Sequence, residues 1–237
     1  MDRFEWIATA AFGLEGLVAR ELARLGIEAK AENGGARFFG SFEDAFRANL
    51  HARCADRILL VMGRFEARSF EALFEGVRAL PWEDFIGEHT RFPVNGKCAR
   101  SQLMSVRDCQ AITIKAIVER LRGRYRTDWF VEDAETVSID VALHGDVAQL
   151  TLDASGTALN RRGYRTWNGE APLRETLAAA LVSLSPWRPG MPLHDPMCGT
   201  GTLMIEAAMR MAHRAPGLTR AFAMEQFSIF PAEECRQ

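Results

Sequence analysis

The chain has 237 residues, of which 48% are apolar and 25% are charged, and its formal net charge is −2 at pH 7. This composition is typical of a globular protein and excludes a disordered chain. No apolar run is long enough for a membrane-spanning helix, and the length suits one large domain or two modest ones.

The first quarter of the chain shows a β-α-β-β-α order of predicted elements. Alternating apolar residues indicate strands, and apolar residues at helical spacing indicate helices. The predicted elements are a strand over 4–11, a helix over 13–25 that stops at Gly26, a strand over 27–31, a turn over 33–35, a strand over 36–40 and a helix over 42–50. This order suits a small ferredoxin-like unit with helices on one face of a sheet.

The middle of the chain alternates strong strands with two helices. The predicted elements are a strand over 57–66, a helix from the cap Ser69 to about 79, an extended piece over 91–97, a helix that begins at a capping box at Ser105 and stops at Gly123, and a hairpin over 137–152. The hairpin has one apolar face, so it predicts a sheet with one buried side.

Basic residues are concentrated between Arg91 and Arg126. This segment holds nine basic and two acidic residues, a net +7, which leaves −9 for the rest of the chain. A local basic field on an acidic chain steers polyanions to one face, so we expect a nucleic-acid partner. The alternative is an ordinary solvated helix with surface charges.

A linker is predicted over 156–170, where turn residues and the basic string Asn160–Arg165 follow the hairpin. Pro172 then precedes a helix over 173–184 that has Leu177, Ala180, Leu181 and Leu184 on one face. Three prolines break the chain before the next element.

The residues 192–206 read as a short strand, a glycine turn and a helix. No lysine follows Gly201, as a phosphate loop requires, and Met204 stands where a dinucleotide fingerprint has its third glycine. What remains is an acidic residue at a strand end followed by G-x-G, which resembles the S-adenosylmethionine loop of class I methyltransferases. The alternative is an ordinary turn between a strand and a helix.

The five cysteines are widely spaced and form no C-x-x-C pair. Such a set is typical of reduced thiols, and the first residues lack the features of a signal peptide, so we expect a cytoplasmic protein. A zinc site from Cys98 and Cys109 would lack a second ligand pair, so we expect no metal. Because no long apolar run occurs, we also expect no membrane partner.

Five strings together resemble the THUMP-domain RNA methyltransferases, specifically the bacterial group that methylates the N2 amine of guanine in large-subunit ribosomal RNA. Members of this group are often labelled adenine-specific DNA methylases. The strings are 92–97, 105–112, 160–165, 171–177 and 193–202, and the resemblance covers essentially the whole chain.

The resemblance implies an α+β part followed by an α/β part. The implied domains are a ferredoxin-like part over 1–43, a THUMP RNA-binding domain over 44–155, the linker over 156–170 and the first part of a Rossmann-like class I methyltransferase domain over 171–237. S-adenosyl-L-methionine is the implied cofactor, and RNA, in particular ribosomal RNA, is the implied partner.

The implied site residues fall into two sets. The cofactor loop comprises Asp195, Pro196, Met197, Cys198, Gly199, Thr200, Gly201 and Thr202. The RNA-binding set comprises Lys97, Arg100, Ser101, Arg107, Lys115, Arg161, Arg162 and Arg165.

One departure from the family pattern concerns catalysis. The family holds the acceptor amine with an Asn/Asp-Pro-Pro-aromatic motif, and no such string occurs in these 237 residues. We therefore assign no catalytic residue and expect the chain, a truncated methyltransferase, not to transfer methyl groups by itself. Two alternatives stay open: an RNA-binding fragment without catalysis, and a DNA adenine N6-methyltransferase. The target nucleotide and the oligomeric state are not indicated.

Overall fold

The structure is a computed structural model that describes residues 3–127, 130–131, 133–134, 136–166 and 172–235. The remaining positions include part of the predicted linker (167–170), the first residue of the predicted methyltransferase domain (171) and both chain ends. Those parts of the predictions lie outside the described residues.

Strands and helices alternate along most of the described part of the chain. In chain order they are β1 (Phe4–Thr9), α1 (Glu15–Arg24), β2 (Ala29–Glu32), β3 (Gly35–Gly40), α2 (Phe42–His51), β4 (Arg57–Glu66), α3 (Phe70–Arg78), β5 (Val94–Ala99), α4 (Val106–Tyr125), β6 (Ile139–His144), β7 (Val147–Asp153), α5 (Glu175–Leu184), α6 (Thr202–Met211) and α7 (Ala232–Cys235). Short 3₁₀ turns lie at Trp82–Asp84 and Ala223–Gln226.

The chain forms two compact units, each made of two segments. The first unit comprises residues 1–58 and 157–222, and the second comprises residues 59–156 and 223–237. The predicted β-α-β-β-α order is confirmed in the first unit, which begins β1-α1-β2-β3-α2.

The first unit has an antiparallel sheet in the order β2-β3-β1. Trp6 on β1 lies opposite Phe38 on β3, and their rings stack with centroids 6.4 Å apart. Helix α2 begins with a capping box, because the Ser41 hydroxyl accepts from the Asp44 N–H and the Asp44 carboxylate accepts from the Ser41 N–H. Gly26 ends α1 with a φ of 78°, as predicted.

Helices α5 and α6 pack on each other within the first unit, around a small cluster of Val182, Trp187 and Ala207. Three consecutive alanines of α5 (178–180) are buried, and such small side chains allow a close approach to neighbouring backbone. The predicted apolar face of α5 is largely exposed instead: Leu177, Leu181 and Leu184 are 39%, 45% and 57% exposed.

The second unit has a sheet in the order β4-β7-β6-β5. Strands β5 and β6 are parallel neighbours, so the chain must cross over between them, and α4 is that crossover. The buried side chains Leu73, Trp82, Ile117 and Leu143 come from both helices and the sheet. The apolar face of the sheet is therefore covered by α3 and α4.

Most predicted bounds shift by one to three residues, and one predicted strand is missing among the described residues. The strand predicted over 91–97 begins only at Val94, since Arg91 makes an isolated bridge to Thr136. The helix predicted to stop at Gly123 continues to Tyr125 and is ended by the left-handed Arg126. The strand predicted before the glycine turn is wrong for this structure, because residues 192–195 have no ladder partner among the described residues, and a strand needs one.

Candidate cofactor loop and nucleic-acid surface

The loop at 195–202 enters helix α6 through two glycines in the left-handed region. Gly199 has a φ of 54°, and Gly201, the N-cap of α6, has a φ of 73°. Residues other than glycine rarely adopt these φ angles. A Cβ at either position would meet nothing within 4 Å, so the backbone here faces open space. The turn therefore requires glycine at both positions, and the backbone of the turn is accessible to a ligand.

Hydrogen bonds within the loop tighten it. The Gly201 N–H donates to the carbonyl of Cys198 at 2.7 Å, and the Met197 N–H donates to Oδ1 of Asp195 at 3.1 Å. No side chain caps the start of α6. The first N–H groups of a helix have no intrahelical acceptors, so this end can bind a polar or anionic group.

The loop lies on the surface of the first unit. The four residues from Pro196 to Gly199 are exposed, with Met197 at 88%, whereas Thr202 is only 3% exposed. A flexible, partly anionic ligand could therefore reach the backbone of the loop from outside. The combination of open glycine backbone, an uncapped helix and the Asp195 carboxylate fits a cofactor with an amino-acid moiety and hydroxyl groups.

Arg165 connects this loop to the start of α5. Its Nη1 donates to the Thr200 hydroxyl at 3.2 Å, and its Nη2 donates to the Thr202 hydroxyl at 3.0 Å. Its Nε donates to Oε1 of Glu175 at 2.8 Å, and Nη2 also donates to the carbonyl of Leu173 at 3.0 Å. A single guanidinium therefore holds the loop and the first turn of α5 together.

Arg162 lies in the interior of the first unit. Its side chain is 2% exposed, and its Nε lies 3.5 Å from Oε1 of Glu206, whose side chain is fully buried. The two terminal nitrogens donate to the carbonyls of Leu159 and Arg53. Sequence reasoning placed Arg162 with the RNA-binding residues, but these contacts are with the protein's own interior. The role in RNA binding stays a prediction.

Tyr164 completes this buried cluster. Its hydroxyl donates to Oε1 of Glu206 at 3.1 Å, whereas Oε2 of Glu206 makes no hydrogen bond to any described residue. Burial raises the pKa of Glu206, an effect that the charge of Arg162 opposes. Burial and the nearby Glu206 also raise the pKa of Tyr164. The cluster ties the segment 159–165 to the middle of α6.

Two cavities flank the segment 160–165. One of about 500 Å³ is lined by Asn160, Arg161, Arg165 and residues 172–175, which lead into α5. One of about 570 Å³ is lined by Tyr164, Met209 and Pro216 among others. Arg161 is exposed at the first cavity. Arg165 lines the first cavity and also binds Thr200, so it connects this cavity to the loop at 195–202.

The five predicted RNA-binding residues of the second unit do not share one face. Gly96 and Cys98 of β5 face α4, since a Cβ on Gly96 would lie 2.9 Å from Cγ of Gln110 and the Sγ of Cys98 lies 3.8 Å from that of Cys109. Lys97 is exposed and, by strand alternation, points away from α4. Arg107 and Lys115 are exposed on α4 itself.

Arg100 and Ser101 lie just after β5. Arg100 is exposed with a φ of 52°, and the Ser101 hydroxyl donates to the carbonyl of Ala99 and accepts from the Asp146 N–H. Ser101 therefore stabilises the turn that presents Arg100. These two residues and Lys97 follow each other closely along the chain.

Sequence reasoning missed one cation beside Lys115. The ammonium of Lys115 lies 5.8 Å and the guanidinium of Arg78 lies 5.7 Å from the centroid of the Phe74 ring. Arg78 belongs to α3, outside the segment 91–126, and its Nη2 donates to Oε2 of Glu75 at 2.6 Å, so its charge is already paired at the surface. Conversely, Arg120 within that segment binds Glu83 through two hydrogen bonds of 3.0 and 2.6 Å, which lowers the pKa of Glu83. The net +7 therefore overstates the cations that are available to a ligand.

Three family models match consecutive parts of the chain. The RlmL ferredoxin-like domain matches residues 5–59, the THUMP domain matches residues 67–153, and the RMKL-like methyltransferase domain matches residues 162–236. These matches confirm the predicted fold class. They do not test the predicted domain boundaries, which stay predictions.

Named relatives are similar over nearly all of the chain. A Bacillus subtilis protein named "Putative RNA methyltransferase YpsC" is 46% identical over 229 residues, which cover 96% of this chain and 60% of that protein. A solved structure titled as a "predicted N6-adenine-specific DNA methylase" from Listeria monocytogenes is 46% identical, with a TM-score of 0.94, and the match covers 100% of this chain and 62% of that one.

A third relative was crystallised with a ligand. The structure titled "SMU.472, a putative methyltransferase complexed with SAH" is 42% identical with a TM-score of 0.90, and the match covers 96% of this chain and 60% of that one. The chain thus spans about 60% of the length of each of these relatives. Among the described residues, no helix has the length and apolarity to cross a bilayer, and no His, Cys, Asp and Glu side chains cluster as metal ligands.

Proposed function

We propose that this chain, which carries the ferredoxin-like, THUMP and methyltransferase domains of the THUMP-domain methyltransferases, binds S-adenosyl-L-methionine at residues 195–202 and RNA through its THUMP domain. The observation that carries the proposal is the loop itself. It is exposed, it turns through two left-handed glycines, and it opens an uncapped helix.

The cofactor assignment is supported by the relative that was crystallised with S-adenosylhomocysteine. The bound cofactor supplies an electrophilic methyl group on a sulfonium. The chain's own part is to hold it: the backbone at Gly199 and Gly201 allows a close approach, and the N–H groups at the start of α6 suit its carboxylate. Asp195, half-buried at the entrance of the loop, can accept hydrogen bonds from its amine or hydroxyl groups.

The RNA assignment is supported by the THUMP match and by exposed cations in the second unit. Lys97, Arg100, Arg107 and Lys115 would contact phosphates, which give affinity and position but little sequence information. Arg161, exposed at the first of the two cavities in the first unit, would contribute in the same way.

The finer assignment is N2-methylation of a guanine in large-subunit ribosomal RNA, and it derives from the family resemblance of the sequence. Methylation of a base amine requires an unstacked nucleotide, so the target would be a loop or a locally opened helix. The five cysteines are free thiols, which favours a location in the reducing cytoplasm.

We also propose that these 237 residues bind the cofactor without transferring its methyl group. The Asn/Asp-Pro-Pro-aromatic string that would hold the acceptor amine is not among them. Without groups that orient the amine, proximity and orientation are lost, and these are the main contribution of such an enzyme. Methyl transfer to ribosomal RNA by the isolated chain would contradict this point.

The cofactor site is tested with a matched pair of glycine variants. Gly201→Ala places a Cβ on a left-handed residue within the loop, and Gly190→Ala does the same at a φ of 90° in an exposed turn outside it. Both changes cost backbone strain, but only the first should alter the loop. By calorimetry, Gly201→Ala should weaken S-adenosylhomocysteine binding about tenfold or more, and Gly190→Ala should leave it unchanged. Equal affinities for all three proteins would contradict the proposed site.

The DNA alternative rests on the name of the Listeria relative. A filter-binding competition between ribosomal RNA fragments and duplex DNA of equal length, at one fixed salt concentration, separates the two partners. Preference for duplex DNA would overturn the RNA assignment. RNA binding without S-adenosylhomocysteine binding would reduce the chain to an RNA-binding module.

A further inference from the structure

Arg165 makes contacts that go beyond holding two helices together. Its side chain is 16% exposed, its charge is balanced by Glu175 at 2.8 Å, and both of its terminal nitrogens reach hydroxyls of the cofactor loop. A planar guanidinium fixes the directions of its donors. The two threonine hydroxyls are thereby held in fixed positions relative to the start of α5.

The hydrogen-bond capacity of the two hydroxyls determines what the loop can offer a ligand. Each hydroxyl has one proton to donate and can accept two hydrogen bonds. The oxygens of Thr200 and Thr202 lie 3.0 Å apart, so one hydroxyl donates to the other. Both also accept from Arg165, which cannot accept in return. One hydroxyl proton of the pair is therefore left for another acceptor.

Burial decides which proton is left. Thr202 is 3% exposed, and a proton left there would have no acceptor among the described residues, which is costly for a buried group. Thr200 is only half-buried, next to the exposed Gly199. The favourable arrangement is thus one in which Thr202 donates to Thr200, and Thr200 directs its own proton outward from the loop.

We propose that Arg165 is a positioning residue that fixes the Thr200 hydroxyl as a hydrogen-bond donor to the carboxylate of the cofactor's amino-acid moiety. This inference rests on the proposed function, because it concerns the same loop. Arg165 itself does not touch the cofactor. It acts by filling, together with the Thr202 hydroxyl, the two acceptor sites of the Thr200 hydroxyl, so that Thr200 presents a donor and not an acceptor to the ligand.

Another arginine offers a matched control. Nη1 of Arg210 on α6 donates to the hydroxyl of Ser183 on α5 at 3.1 Å. Arg210 therefore also connects these two helices, but near their C-terminal ends and away from the loop. Arg165→Gln and Arg210→Gln each remove one such bridge, so effects on packing appear in both variants and effects on the loop appear only in the first.

The experiment compares two ligands that differ in one group. S-adenosylhomocysteine has the carboxylate, and its decarboxylated analogue lacks it but keeps the amine and the nucleoside. Calorimetry on the 237-residue chain should show that Arg165→Gln and Thr200→Val each weaken binding of S-adenosylhomocysteine about tenfold and change binding of the analogue less than about twofold. Thr200→Ser, which keeps the hydroxyl, should bind both ligands like the wild type.

The double variant Arg165→Gln/Thr200→Val supplies a second readout. Because the two residues act through one hydrogen bond to the ligand, the double variant should bind no more weakly than the weaker single variant. Arg210→Gln should change neither ligand. Thr200→Val removes a half-buried hydroxyl and keeps the volume of the side chain, so it stays informative if Arg165→Gln impairs folding.

Each result decides a separate point. If the variants weaken both ligands equally, or weaken neither, the positioning role of Arg165 is refuted while the cofactor site stands. If additive losses appear in the double variant, the two residues act independently and the inference fails. If the wild-type chain binds neither ligand, the proposed function itself is refuted, and the inference with it.

Discussion

Replacement of Arg162 by methionine should strongly destabilise the first unit. Methionine fills much of the same volume but leaves the buried carboxylate of Glu206 without its cationic partner and removes the donors to the carbonyls of Leu159 and Arg53. The side chains of Arg162 and Glu206 are 2% and 0% exposed, so the small value typical of surface ion pairs does not apply. Breaking a buried pair from one side costs about 3–5 kcal/mol.

Two features place the expected loss near the lower end of that range. Glu206 can take up a proton, which its raised pKa makes easier, and the Tyr164 hydroxyl continues to donate to it. We therefore expect a loss of about 3 kcal/mol in the free energy of unfolding of the first unit. The double variant Arg162→Met/Glu206→Gln should recover part of this loss, because it leaves no unpaired charge.

Urea denaturation followed by far-UV circular dichroism, which reports the loss of helices and strands, measures this loss. The matched control is Arg161→Met, because Arg161 is the exposed neighbour and its replacement should change stability by less than about 0.5 kcal/mol. If Arg162→Met lowers the free energy of unfolding by less than about 1 kcal/mol, the buried contacts of Arg162 do not stabilise the fold as argued.

Two further predictions concern pH and salt. Burial raises the folded-state pKa of Glu206 above its ordinary 4.5, so its contribution to stability is present below that value and is lost as the pH rises through the folded pKa. The stability of the Glu206→Gln variant should therefore fall less than that of the wild type as the pH rises above 4.5. If thermal unfolding at a series of pH values gives the same dependence of stability on pH for both proteins, the buried Glu206 is not the cause. Lys115→Gln should weaken RNA binding and reduce the slope of log K against log salt by about one. The control is Lys30→Gln, which replaces an exposed lysine in the ferredoxin-like part and should change neither quantity. Equal slopes would remove Lys115 from the RNA surface.

Local patterns predicted the ferredoxin-like part well. The spacing of apolar residues in α1, the stop at Gly26 and the turn before β3 are properties of a few neighbouring residues, and the structure contains each of them. The glycine turn before α6 was likewise readable, because only glycine adopts both left-handed angles at low cost.

Other features depend on partners that are distant in the sequence. A strand was predicted before the loop because residues 192–194 look extended, but a strand also requires a neighbour, which a local pattern does not reveal. The helix α5 shows the same limit: its leucines lie on one face as predicted, yet its alanines are the buried residues, since close packing on α6 favours small side chains.

The three arginines of 160–165 illustrate why site roles were harder to predict than folds. Basic residues in a loop indicate a polyanion, yet Arg162 turns inward to Glu206, 44 residues away, and Arg165 turns to Thr200 and Thr202. Only Arg161 remains exposed. The charge of an arginine is visible in the sequence, but the acceptor that it finds is a property of the folded chain.

Amide hydrogen exchange with and without S-adenosylhomocysteine tests the central claim most directly, because it locates the bound ligand along the chain. We expect saturating ligand to slow exchange at residues 199–202 and in the first turn of α5, and to leave exchange in residues 59–156 unchanged. The absence of any slowing at the loop, or slowing confined to residues 59–156, would contradict the assignment of residues 195–202 as the cofactor site.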